Sequence, residues 1–374
     1  MLTQVSSIEV LTTVDRLWDL GPSWDGLRTH LDAPYASYRW VLSSAEALAG
    51  DSELHVAVIR RNGVPIAAAP LVKRRGFFSS LQQLGTGDHG EPGDFSYRDQ
   101  ESLVALAKAL ARHRLPLALG RVPQESPVLK AINRAYRWSG LVIASPRGRC
   151  PFIEIKGTEA ETVESLPASL RSDIRRGMRK AGKIGAVRFE EHAPRTEAEL
   201  SPLWDESLDV EAASWKGRIH TALKTDQRVG AFYRSYAVRA CEEGALRVFF
   251  LRIGGRAAAM MIALECSGRL WILKIGYDES FAPCSPGQVI MYEGLRYACR
   301  RGLKSYEFLG TAAAWTRRWT NLGRDNLRVL VYPVSVKGLI LLARDTSRSL
   351  REKIRARRKE KPCPASPEGS PGPS

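Results

Sequence analysis

The residues able to do chemistry gather in the second half of the chain. Three carboxylates hold informative places: Glu211 in DVEAASWKGR (209–218), Asp278 just past the strand-like run WILKIGY (271–277), and Glu307 inside YEFLG (306–310). A carboxylate, directly or through water, can take a proton from an amine, and a tyrosine such as Tyr277 can return one. Each has a plainer reading too: Glu211 as a solvent-facing helix residue, Glu307 and Lys274 as the exposed alternate face of a strand, Tyr277 as packing. Directly after the strand comes Ser285-Pro286-Gly287-Gln288. Ser285 suits an N-cap, Pro286 the first helical position where its missing N–H costs nothing, and Gly287 leaves the next amide uncovered. A bare helix N-terminus at a strand's end can receive a phosphate, although one such end supplies only ~0.3–2 kcal/mol and any capped helix looks similar.

The elements that would position these groups follow from pattern. LHVAVIRRNGVPIAAAPLV (54–72) echoes LRVFFLRIGGRAAAMMIAL (246–264) at a spacing of 192, each reading as strand, tight Gly turn, strand. LQQLG (81–85) echoes ILKIG (272–276), helices at about 99–113 and 287–301 correspond, and LPLALGRV (115–122) lies over LKSYEFLG (303–310). The pattern predicts a duplicated mixed α/β domain with a boundary near Arg149–Pro151: an N-terminal unit over 1–150, a C-terminal unit over 151–335, and a basic helix with a Pro/Ser/Gly tail over 336–374. Two helices precede the second hairpin. One, about 168–184, carries Leu170, Ile174, Met178, Ala181 and Ile184 on one face; the other spans about 197–215. In the first unit the loop LGTGDHGEPGD (84–94) mimics a dinucleotide fingerprint, but no apolar helix follows, and Asp88, Glu91 and Asp94 would repel a diphosphate. If one unit keeps a phosphate site, it is the second.

Composition bounds the rest. The 374 residues are 44% hydrophobic and 26% charged, ordinary for a globular protein. The longest apolar runs, AAAMMIAL (257–264) and GLILLA (338–343), fall short of the ~20 residues that span a bilayer. No secretory pattern opens the sequence, so a cytoplasmic location is the expectation. Six scattered cysteines and six single histidines lack metal-ligand spacing, which argues against a metal enzyme. The net charge of +16, with clusters at 171–188 and from Arg344 onward, admits solvated helix faces or attraction to an anionic partner.

The order two helices, hairpin, strand, Pro-Gly helix, strand resembles a GNAT-superfamily N-acetyltransferase domain, here in tandem. The residues that carry the likeness are LRSDIRRGMRKAGKIGAVRFE (170–190), DVEAASWKGR (209–218), GYDESFAPCSPGQ (276–288) and YEFLGTAAAWTRRW (306–319). Within that superfamily the chain is similar to the acetyltransferases first linked to bacterial cellulose biosynthesis (BcsL/CelD-like), and more distantly to Fem-type aminoacyl transferases. The resemblance implies an α+β fold of two GNAT-like domains, each a mixed, mostly antiparallel sheet flanked by helices, the first without cofactor.

It also implies acetyl transfer from acetyl-CoA to an amine of a small molecule or a cell-envelope or polysaccharide precursor, with no metal. The pantetheine arm would lie along Leu273, Lys274, Ile275, Gly276 and Tyr277, and the pyrophosphate on Ser285, Pro286, Gly287 and Gln288. Glu211 would be the first choice of general base, with Asp278 and Glu307 as other candidates, and Tyr277 would protonate the departing thiolate. Trp215 could wall the acceptor pocket and Lys216 hold an anionic part of the acceptor; their plainer roles are core packing and helix-dipole pairing. Where a Tyr-Lys pair often follows the last strand's Gly, this sequence has Trp315-Thr316, which makes Trp315 a candidate substrate contact and weakens the assumption of an acceptor shared with other members. Two rivals stay open: a Fem-like enzyme using aminoacyl-tRNA, which the positive charge suits, and a non-catalytic binding scaffold.

Overall fold

The computed structural model describes residues 7–24, 26–27, 32–50, 52–76, 79–214, 218–219 and 222–359. Its strands are β1 (Ser7–Leu11), β2 (Glu53–Leu54), β3 (Val56–Arg61), β4 (Val64–Ala69), β5 (Leu71–Lys73), β6 (Leu81–Gln83), β7 (Ser96–Tyr97), β8 (Leu117–Pro123), β9 (Gly140–Glu154), β10 (Val187–His192), β11 (Leu246–Ile253), β12 (Arg256–Cys266), β13 (Arg269–Tyr277), β14 (Ser305–Glu307) and β15 (Gly323–Pro333). The longer helices are α1 (Tyr38–Leu48), α2 (Gln100–Arg112), α3 (Pro127–Tyr136), α4 (Ala168–Ile184), α5 (Glu197–Ala212), α6 (Gln227–Glu242), α7 (Pro286–Arg300) and α8 (Val336–Lys359).

The two hairpins form as their turns dictate. Asn62-Gly63 joins β3 to β4 and Gly254-Gly255 joins β11 to β12, with φ of 54° and 78° in the first and 59° and 82° in the second. Two consecutive positive φ values match the twist of the flanking strands, and Asn and Gly adopt them most readily. Each half then runs strand, helix, parallel strand: β6–α2–β8 and β13–α7–β14. All other described pairings are antiparallel, so the architecture is mixed α+β, mostly antiparallel, with helices on the sheet faces.

The two halves are not separate sheets. β1, β3, β4 and β7 form a four-stranded sheet, and the remaining eleven strands run β10-β11-β12-β13-β14-β9-β15-β8-β6-β5-β2. Pro70, between β4 and β5, cannot donate to a ladder, and there the chain passes from one sheet to the other. The long strand β9 pairs with β15 over Gly140–Pro151 and with β14 over Phe152–Glu154. β15 pairs on its other edge with β8 of the first half. The division expected near Arg149–Pro151 therefore falls inside a strand, and residues 323–333 complete the first half's sheet. The internal echo ends at β8 and β14, so it carries no information on where the next strands dock.

A shared core welds the halves further. The α1 side chains Trp40 and Leu48 join Phe232, Tyr233 and Tyr236 of α6 and the sheet residues Phe250 and Ile262. The Trp40 ring lies 4.8 Å from Phe232 and 4.9 Å from Tyr236, edge-on to both. On the opposite face of the second-half sheet, α4 and α7 bury Leu170, Ile174, Ile290, Met291, Leu295 and Ala298. Met178 and Ile184, placed on the buried face of α4 by periodicity, are exposed; Gly177 is the close contact. A Cβ on Gly177 would stand 2.3 Å from the Cys284 carbonyl oxygen, so α4 packs directly on the turn that leads into α7.

Candidate functional site

The site begins with an irregularity in β13. Against β12, Ile262 faces Lys274 while Ala263 faces Ile272, which leaves Leu273 as an extra residue. Such a bulge bends the strand and re-aims the side chains beyond it. On the other edge, β14 pairs with β13 only over Arg269–Trp271. Beyond Trp271 the ladder with β14 ends, and the segment Ile275–Tyr277 borders a cleft instead of a strand.

At the end of β13 the chain makes a 3-10 turn, Glu279–Cys284, and enters α7. Ser285 occupies the N-cap position, but in the left-handed conformation (φ 50°, ψ 48°), and its side chain makes no capping bond. That corrects the expected N-cap role: an Ncap side chain reaches the N2 or N3 amide from extended backbone, which Ser285 does not adopt. Pro286 has no N–H, and the Gln288 and Val289 amides both donate to the Ser285 carbonyl. No described hydrogen bond uses the Gly287 amide or the Ser285 hydroxyl. The buried Gln288 Oε1 likewise has no hydrogen-bond partner.

These groups share one cleft of about 420 Å³, lined by Ile275, Gly276, Tyr277, Ser285, Pro286, Gly287, Gln288 and Trp315, with Ser214, Met291 and Trp319 among the rest. Eight of the residues singled out from sequence are thus neighbours in space. Leu273 and Lys274 are not part of the lining. Trp319 was missed, although its spacing of four from Trp315 on a helical turn was the available signal. Gly276 and Gly287 keep the walls thin. A Cβ on Gly276 would meet the Glu211 Cα at 3.0 Å, and one on Gly287 would meet Tyr277 Cδ1 at 3.2 Å.

The three carboxylates have different surroundings. Glu211 is 1% exposed, lies against the β13 backbone at Gly276, and accepts the Leu223 amide at Oε2 (2.9 Å). Asp278 caps the 3-10 turn through the Ser280 amide (2.8 Å) and pairs with Arg256 (3.1 Å). Glu307 is also 1% exposed and is held by Arg324 (2.9 Å), Ser305 Oγ (2.7 Å) and Arg269 (3.7 Å). None of the three carboxylates is among the residues that line the cleft; Glu211 lies behind Gly276, which is. Trp215 and Lys216 lie outside the described residues, directly after the cleft residue Ser214.

In the first half the equivalent crevice is filled by its own loop. Gln83 of β6 accepts the Gly120 amide of β8 through Oε1 (3.1 Å), and a Cβ on Gly120 would strike Thr86. The Glu91 carboxylate accepts the Gly310 amide (2.6 Å), while Arg121 donates to the carbonyls of Gly310 (2.6 Å) and Gly90. Burial pushes the Glu91 carboxyl up, raises Asp94 to about 7, and lowers the His89 ring to about 3. The acidic loop that sequence marked as hostile to phosphate is a buried strap between the halves. Lys274 faces this strap side, with Nζ 4.0 Å from the Tyr233 ring centroid.

Residues 168–317, the segment that builds the cleft, match the family model described as an acetyltransferase (GNAT) domain. No curated protein matches the chain. Among solved structures, it is similar to the C-terminal domain of a protein assigned as a lysylphosphatidylglycerol synthetase from Agrobacterium fabrum, at 15% identity and TM-score 0.55, covering 88% of this chain and 95% of that one. FemX matches at 11% identity and TM-score 0.55, covering 88% and 97%. A conserved protein of unknown function from Bacteroides thetaiotaomicron matches at 10% identity and TM-score 0.51, covering 87% and 99%. At such identities the likeness is one of fold. The fold is shared with these structures along most of the chain, and the match to a GNAT domain covers residues 168–317.

Proposed function

We propose that the protein is an N-acetyltransferase that moves an acetyl group from acetyl-CoA to an amine, and that its site is the cleft between β13 and α7. The observation that carries this reading is the meeting of two features there: a strand edge that its neighbour leaves after Trp271, and a helix mouth whose Gly287 amide and Ser285 hydroxyl make no described bond. The cleft would hold the pantetheine arm along Ile275–Tyr277, continuing from Leu273 and Lys274, and the diphosphate at Ser285–Gln288. Acetyl-CoA when bound supplies the activated thioester carbonyl.

Among the three carboxylates we assign Glu211 as the group that takes the amine proton, since its Cα and Cβ pack against Gly276 in the cleft wall. Asp278 and Glu307 are committed to a turn cap and to ion pairs, which supports structural roles. Tyr277, with its ring over Gly287, is the candidate to return a proton to the thiolate sulfur, and Trp315 to contact the acceptor. We place the chain with the cellulose-biosynthesis-associated acetyltransferases on its sequence motifs, with an amino sugar or other envelope precursor as the acceptor class. The test is a panel of amines assayed by thiol release from acetyl-CoA; no turnover together with no calorimetric signal for acetyl-CoA overturns the reading. The FemX-like fold and the +16 charge favour aminoacyl-tRNA as the alternative donor, which a salt-dependent tRNA gel shift decides.

A further inference from the structure

On the first half's side, away from the cleft, the sheet face formed by β6, β8 and β15 carries α8 and a cavity of about 310 Å³. Arg74, Arg75, Arg328 and Arg344 line that cavity. The carboxylate among its described lining residues is Asp345, which is held by Arg344 (3.0 Å) and by the Tyr332 hydroxyl (3.0 Å). The lining is therefore cationic by three residues. A cavity of this character takes an anion of phosphate type, since guanidinium forks match its oxygens.

Beside the cavity the same face is apolar and uncovered. Leu141 stands opposite Tyr332 and Ile143 opposite Leu330 across the β9–β15 ladder, so both share the face of these cavity residues. The Val334 amide donates to the Ser139 carbonyl (2.8 Å), which brings Trp138 next to Val334 and the start of α8. There Trp138 is 87% exposed, Val336 74% and Leu339 60%. Among the described residues of α8, Gly338 and Leu341 are buried, while Val336 and Leu339 are exposed. Arg137 flanks Trp138, its guanidinium 4.9 Å from the ring. From Arg344 to Lys359 the α8 sequence holds eight basic and two acidic residues.

An exposed Trp with aliphatic neighbours at the end of this sheet, beside a basic helix and an arginine-lined cavity, matches the interface of an anionic bilayer. There the ring and aliphatic groups enter the headgroup boundary while arginines meet phosphates. A second copy of the chain would bring the same arginines against each other. We propose that this face docks on an anionic lipid surface, with the arginine-lined cavity seating a phosphate headgroup. The inference does not rest on the acyl-transfer reading, and it concerns docking alone: no helix among the described residues is long and apolar enough to cross a membrane.

The test is co-sedimentation of the full chain with vesicles of phosphatidylcholine alone or mixed with phosphatidylglycerol, at rising salt. Binding to the mixed vesicles only, weakening with salt, is the expected result. Trp138→Ser with Leu339→Ser should cut partitioning at least about tenfold, and Arg75→Gln with Arg328→Gln about 30-fold, with far-UV circular dichroism unchanged in both. Equal binding to both vesicle types, no binding at low salt, or variants that bind like the parent would overturn it. So would a dimer in which Trp138 is shielded. Protection by inorganic phosphate with no vesicle binding would reduce the cavity to a free-phosphate site and equally refute docking.

Discussion

Gly287→Val puts the cleft reading at risk most directly. The substitution adds a branched side chain at the mouth of α7, where a Cβ alone already stands 3.2 Å from the Tyr277 ring. Its methyl groups take space in a cleft of about 420 Å³ and cover the one amide of the first turn that no described bond uses. A phosphate there gains a charge-assisted bond from that amide and the favourable helix end, about 1.5–3 and ~0.3–2 kcal/mol respectively. Losing both costs about 3 kcal/mol, or roughly 150-fold in Kd. The backbone tolerates the change, because Gly287 has ordinary helical φ and a non-Gly residue is preferred in a helix by a few tenths of a kcal/mol, while the half-buried Tyr277 ring gives way by a few tenths of an ångström. Isothermal titration with acetyl-CoA is the assay, with acetylpantetheine as the control that lacks the diphosphate. The variant should lose far more affinity for acetyl-CoA than for acetylpantetheine, whose contact with the shifted Tyr277 ring is the smaller loss. Unchanged acetyl-CoA affinity in a folded variant would refute the placement of the diphosphate, whatever the activity.

Further consequences can be measured separately. Glu211→Gln should lower kcat by about 100-fold or more with little change in acetyl-CoA affinity, and unaltered turnover would remove it as the base. Arg324→Met leaves Glu307 buried and short of its main partner, so urea melts should show a loss of about 3 kcal/mol; a loss under about 1 kcal/mol would show that the ion pair is not structural. Asp94 has its carboxyl raised by burial from 3.8 to about 7, so the native state holds its proton more tightly than the unfolded chain. The resulting penalty is absent below the unfolded value and fully present above about 7, where it reaches about 4 kcal/mol. Asp94→Asn should therefore be more favourable to stability at about pH 8 than at about pH 4, and an equal effect at both would show that the group is not held neutral.

Much of this arrangement is legible in the sequence because it is local. Asn62-Gly63 and Gly254-Gly255 announce their hairpins, and α4 spans Ala168–Ile184 as its periodicity predicts. The strand, turn and Pro-Gly helix of 271–288 name most of the cleft, since neighbours in that unit are neighbours in sequence. Long-range facts are not legible. Glu91 meets Gly310 across 219 residues, and the two carry no shared pattern. Glu307 reads as a possible catalytic carboxylate until Arg324 and Arg269 are seen around it. Ser285 reads as a cap because residue type suggests it; its left-handed backbone, where the 3-10 turn packs on Gly177, is a tertiary feature that residue type does not reveal.

The place of β15 between β8 and β9 governs how the protein can be made. Until residues 323–333 have left the ribosome, the leading lobe lacks an inner strand, and the facing edges of Leu117–Pro123 and Gly140–Pro151 stay open to wrong partners. Synthesis from the amino end therefore cannot finish the first lobe before residue 333 has been made. A genetic cut at residue 150 would yield an unfinished sheet, so recombination cannot easily pass the two lobes on as independent pieces.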